Sequence, residues 1–175
     1  MRWFYIILVA FVASLIQTTA GQIFWFPTSL GWIGPIFPVG AAVFAILYAR
    51  QTVDVALAGW ILGLALELPL GGETFMGLLP LLFAAMSAAL FKTREAFYRD
   101  RLVTQMILGF LLAFLVYEAW AMCQAVLPGG LSQPYWRVTL QMLIVAVYTG
   151  VLTPSMVALL KPLQRVLWTI PTSQR

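Results

Sequence analysis

A chain of 175 residues that is 62% hydrophobic and only 9% charged, with a mean hydropathy of +0.94, is too poor in charge for a soluble domain, in which roughly 25% of residues are charged. Its net charge of +4 comes from ten basic residues scattered singly or gathered in one short loop, a distribution that fits positive-inside bias better than nucleic-acid binding. A single cysteine, Cys123, and no histidine exclude an internal disulfide, zinc sites and histidine-based catalysis.

The apolar runs predict an all-α, polytopic membrane protein forming one domain of six transmembrane helices, at about 3–20, 33–49, 53–70, 74–91, 104–127 and 138–160. The second and third are near the short end of the usual range of roughly 17–25 residues, but six is preferred to a count that merges them into one re-entrant pair. The loops support it. Arg2, Arg50, Lys92, Arg94, Arg99, Arg101, Lys161, Arg165 and Arg175 fall on one side and only Arg137 on the other. That split sets both termini in the cytoplasm, and a five-span reading breaks it.

The first span ends in Thr18-Thr19-Ala20-Gly21, which has the look of a signal-peptide cleavage site. Its positive n-region is minimal, however, and Phe24-Trp25-Phe26 reads as an anchor at the outer interface, so an uncleaved span is expected. The second span opens with Pro35 and Pro38, which constrain its first turn. Pro80 and Pro154 are expected in the interior of spans 4 and 6. Each there removes a backbone hydrogen bond that a neighbouring helix or a hydroxyl must replace, and Thr153 stands directly before Pro154.

The third span carries the most information. From Val55 to Leu70 it is apolar except for Glu67, and Gly59, Gly63 and Glu67 recur every four residues, so they share one helix face. A strip of small residues lets another helix approach closely, and the carboxylate at its end needs a partner or water. Pro69, Gly71 and Gly72 stop the helix, and the fourth span follows almost at once, with Gly77, Ala84, Ala85, Ser87, Ala88 and Ala89 along it. A tight helical hairpin is expected. The loop after it, Lys92 to Arg101, holds Lys92, Arg94, Arg99 and Arg101 around Phe97 and Tyr98. It reads either as a topology anchor with snorkelling side chains or as a docking surface for a cytoplasmic partner.

Glu118, mid-way along span 5, is the second intramembrane acid. Glu67 and Glu118 each lie about 15 residues from the cytoplasmic end of their spans, roughly 20 Å at 1.5 Å per residue, and Gln17 and Gln141 fall near that height. The four are expected to form an intramembrane polar cluster, serving as structural glue, sharing protons, or facing a water-filled outer vestibule. No nucleophile, metal ligand or phosphate-binding loop accompanies the two carboxylates, so no enzyme, cofactor or metal is expected. The external segments 21–33 and 128–137 are short, and Pro134-Tyr135-Trp136-Arg137 reads as an interfacial anchor.

Six short spans after a Met-Arg-Trp start, the run Gly59-Trp60-Ile61-Leu62-Gly63-Leu64-Ala65-Leu66-Glu67, then Gly71 and Gly77, then a basic loop together resemble the MreD family of bacterial rod-shape-determining membrane proteins. In that family a span typically reads G-F-x-x-G-L-x-x-D; here Trp60 replaces the usual Phe and Glu67 the usual Asp, and Pro69 is unusual. The resemblance implies a non-enzymatic subunit of the cell-elongation machinery in the bacterial inner membrane. Its implied partners are an MreC-like scaffold, the filament protein MreB, and RodA with its penicillin-binding protein, and Gly59, Gly63, Glu67, Gly71 and Gly77 serve helix packing or partner binding. The family also resembles the substrate-binding subunits of energy-coupling-factor vitamin transporters, which gives the alternative: a solute-binding subunit whose Gln17, Glu67, Glu118 and Gln141 line a pocket opening outward.

Overall fold

The computed structural model describes residues 3–19, 23–29, 31–68, 77–93, 101–126 and 133–163. Six α-helices account for most of them: α1 (Trp3–Thr18), α2 (Phe37–Tyr48), α3 (Thr52–Glu67), α4 (Leu78–Thr93), α5 (Leu102–Val126) and α6 (Tyr135–Leu160), the last followed by a 3-10 turn at Lys161–Leu163. Each helix coincides with one apolar run of the sequence. Their lengths differ more than the sequence suggests. At 25 and 26 residues, α5 and α6 are about 38 Å long and apolar enough to cross a membrane, whereas α1, α3 and α4 have 16 residues each, about 24 Å, and α2 only 12, about 18 Å.

The shortening of α2 has a local cause. Ile33, the first residue of the expected second span, instead ends a small antiparallel hairpin formed within the external segment 21–33, β1 (Phe26–Thr28) against β2 (Gly31–Ile33), with Phe26 opposite Ile33 and Pro27 opposite Trp32, and the helix starts only after Gly34-Pro35-Ile36. Gly31 takes φ +121° there, and Pro38 in the first turn of α2 costs nothing, since that turn has no intrahelical donor to lose. This hairpin is a departure from the purely helical expectation. Pro80 is also placed differently than expected. Because α4 begins at Leu78, Pro80 lies in its first turn, where its missing N–H would have had no helical partner.

The helices pair as two tight hairpins, α3 with α4 and α5 with α6, and α2 lies between them, touching all five other helices. It is the core: every residue from Pro38 to Leu47 is buried. Phe83, Leu62, Leu79, Leu108, Leu112 and Val116 close around it from α3, α4 and α5. The outside is as apolar as the inside. Phe4, Ile7, Leu8, Phe11, Val12, Leu15 and Ile16 are exposed along α1, and Leu140, Leu143, Ile144, Val147, Val151 and Leu159 along α6. Soluble monomers rarely show contiguous apolar surface beyond a few hundred Å².

Candidate functional site

The strip on α3 is spent on α4. A Cβ at Gly63 would lie 2.5 Å from Pro80 Cα, and one at Gly59 would lie 2.8 Å from the Phe83 carbonyl oxygen, so neither position has room for a side chain. The two backbones are in direct contact, the geometry that small-residue faces allow between membrane helices. Ser87 stands in the same seam, fully buried, with a hydroxyl that has no partner among the described residues. On the other side of α3, Trp60 is exposed.

Glu67 closes the top of this hairpin. It is 7% exposed, and its Oε2 accepts the backbone N–H of Gly77 at 2.8 Å. Gly77 immediately precedes α4 and has φ +99°. The carboxylate at the end of one helix therefore caps the start of the next, where orphan N–H groups and the positive end of the helix dipole favour an anion. Its Oε1 is buried without a partner among the described residues. Gly71, the remaining glycine of the run, lies outside the described residues.

Gln17 does the same for α2. Its Oε1 accepts the N–H of Phe37 at 2.9 Å and its Nε2 donates to the Pro35 carbonyl at 3.2 Å. From the other flank, the hydroxyl of Thr149 on α6 accepts the N–H of Ile36 at 3.1 Å. The α2 N-terminus, which has no cap of its own, is thus satisfied by α1 and α6 jointly. One turn before Gln17, Ser14 donates to the Ala65 carbonyl of α3 at 2.8 Å, which sets Gln17 and Glu67 at nearly equal height.

Glu118 and Gln141 lie elsewhere. Glu118 Oε1 accepts the hydroxyls of Tyr135 and, at 3.2 Å, Thr139, both on α6; its Oε2 is buried without a partner among the described residues. Gln141 donates to the Trp32 carbonyl of β2 at 3.2 Å, and its amide also lies against Gly31. Thr139 and Gln141 precede Thr149 by ten and eight residues, about 12–15 Å along α6. The four polar side chains thus occupy two tiers. Among the described residues no hydrogen bond joins any one of them to another, so the hydrogen-bond partners of Glu118 are hydroxyls of α6 rather than the glutamines.

The hydroxyl of Thr153 donates to the Thr149 carbonyl at 2.8 Å, one residue short of the Gly150 carbonyl that Pro154 leaves without a helical donor. Thr153 instead fills the space over Gly109, whose Cβ would fall 2.1 Å from its Oγ1, and so packs α5 on α6. Of the basic loop, Lys92 is exposed in the last turn of α4 and Arg101 exposed just before α5; Arg94 and Arg99 lie outside the described residues. Ser14, Thr149, Tyr135 and Thr139 are the polar contacts that sequence reasoning missed. Ser14 with Gln17, and Tyr135 with Thr139, have three- and four-residue spacings that put each pair on one helix face, the only signal available.

None of Gln17, Glu67, Glu118 and Gln141 lines the groove of about 420 Å³ that runs between α1 and α6 over α2. What the polar side chains do chemically is terminate helices and tie elements together. Comparison of the chain with protein-family models, with curated proteins and with solved structures finds no match.

Proposed function

We propose that the chain is a non-enzymatic subunit of the bacterial cell-elongation complex, held in the cytoplasmic membrane by six spans with both termini in the cytoplasm. In this reading it binds an MreC-like scaffold and, through it, links MreB filaments to RodA and its penicillin-binding protein. The observation that carries the reading is the use made of the run from Gly59 to Glu67. Its glycines are consumed in the α3–α4 seam and its acid in capping α4, which makes the motif a means of building a rigid, apolar-surfaced bundle. Such a bundle offers its partners shape and lipid-facing area.

The six-span placement draws on the apolar exterior and on the charge split of the loops. The non-enzymatic reading rests on a sequence without histidine and with isolated acids. A vitamin-type solute-binding subunit would need Gln17, Glu67, Glu118 and Gln141 around one outward pocket, and their hydrogen bonds go instead to helix ends, α6 hydroxyls and β2. The test is affinity purification of the tagged chain from native membranes in mild detergent. Co-purification of an MreC-like protein at near-stoichiometric yield is expected. Recovery of a transporter ATPase pair in its place, or of the chain alone, would overturn the proposal.

A further inference from the structure

The groove between α1 and α6 is built unlike the other helix contacts. Tyr5, Val12 and Ile16 form one wall, Leu152, Met156 and Leu160 the other, and Phe37 and Ala41 of α2 the floor. Of its two hydroxyls, Ser155 already donates to the Leu152 carbonyl at 2.6 Å and Tyr5 stands at one end, so the length between offers an occupant almost only apolar surface. Tyr5 and Leu163 stand at the end where α1 starts and α6 finishes, and the edge-to-face pair Phe24–Phe37 stands at the opposite end. From Tyr5 to Ile16 the groove follows twelve residues of α1, a rise of about 16 Å, close to half of a hydrocarbon core of about 30 Å.

We propose that this groove binds one acyl chain of a membrane phospholipid from the leaflet on the side of the α1 N-terminus. Two observations select a hydrocarbon chain over a partner's transmembrane helix. The length is close to the depth of one leaflet. And the walls are mostly large apolar side chains with a single small residue on each, Ala13 and Ser155, in place of the repeated small-residue face and interhelical hydrogen bonds that specify a membrane helix pair; a flexible chain needs neither. The bound chain replaces direct packing of α1 on α6, and it makes the first helix a lipid-dependent part of the bundle.

The inference rests on the membrane placement proposed above, and the two are separable by experiment. The full-length chain is extracted in mild detergent, stripped of bulk lipid, and examined by native mass spectrometry. The intact chain is expected to retain one phospholipid per molecule. Ser155→Trp and, from the opposite wall, Val12→Trp, both at positions that leave the core untouched, are expected to lose it at least tenfold. Leu143→Trp, on an exposed part of α6 outside the groove, is expected to retain it. No retained lipid in the intact chain, or equal retention in all three folded variants, overturns the proposal. If either groove variant fails to fold, the other decides, and protection of a cysteine at Ser155 against an alkylating reagent by added phospholipid gives a readout without bulk. Recovery of the chain in the soluble cell fraction would defeat the membrane placement itself, whereas an embedded chain without lipid defeats only the groove assignment.

Discussion

At the scale of single residues, polar side chains in this chain serve as caps supplied by another element. Gln17 satisfies both the Phe37 N–H and the Pro35 carbonyl, so Gln17→Leu leaves a donor at the start of α2 without its partner. A loss of about 1–3 kcal/mol is expected, measured by thermal unfolding in detergent. Glu67→Gln keeps an oxygen to receive the Gly77 N–H and is expected to change stability little, whereas Glu67→Leu removes the cap and is expected to cost about 1 kcal/mol. Equal losses in the two variants would show that the negative charge matters and not the acceptor. Ser87, whose buried hydroxyl has no partner among the described residues, makes the opposite case: Ser87→Ala is expected to be neutral or slightly stabilising, because it removes an unsatisfied polar group.

At the scale of elements, the α3–α4 hairpin is set by backbone contact. Gly63→Leu places a side chain where Pro80 Cα stands 2.5 Å from the Cβ position, and the helices must separate. The expected cost exceeds the about 1–3 kcal/mol of ordinary overpacking, read as loss of monodisperse protein on size exclusion. Because this face points into the bundle, that variant reports on folding and not on partner contact. The hairpin was legible in the sequence because glycines every four residues and an acid at the end of the strip leave a periodic mark. The central place of α2 was not. Its run Pro38-Val39-Gly40-Ala41-Ala42-Val43-Phe44-Ala45-Ile46-Leu47 is apolar on every face, and the exposed stretches of α1 and α6 are apolar too, so hydrophobic periodicity cannot separate core from surface. The short β hairpin escaped because Phe26-Pro27-Thr28 and Gly31-Trp32-Ile33 are only three residues each, too short for an alternating pattern, and lie in an external segment whose aromatic residues read as an interfacial anchor. The polar tiers were half legible. Helix position alone gives each residue's distance along its own span, but the height of one span against another is fixed by contacts such as Ser14 with Ala65 and Thr149 with Ile36.

For the whole molecule, basic residues concentrate in alternate loops of the sequence, and the helices between them form a bundle whose exterior is apolar. The α5–α6 pair is longer than α1, α3 and α4 by about 14 Å and than α2 by about 20 Å, and the β hairpin is held to α6 by Gln141. Gln141 lies near the start of α6, so the hairpin stands at the end of the α5–α6 pair opposite Arg101. The central claim is that the chain crosses the bilayer an even number of times and works through what it touches there. Its most direct test is cysteine accessibility in intact cells, in a Cys123→Ser background with single cysteines placed at Arg50, Ala96 and Ser173 or at Ser29, Thr74 and Ser132. The account predicts labelling by a membrane-impermeant maleimide at the second set alone, with the first set labelled only after the cells are opened. Labelling of Ser173 from outside while Arg50 stays protected, or of any two members of one set from opposite faces, would contradict it.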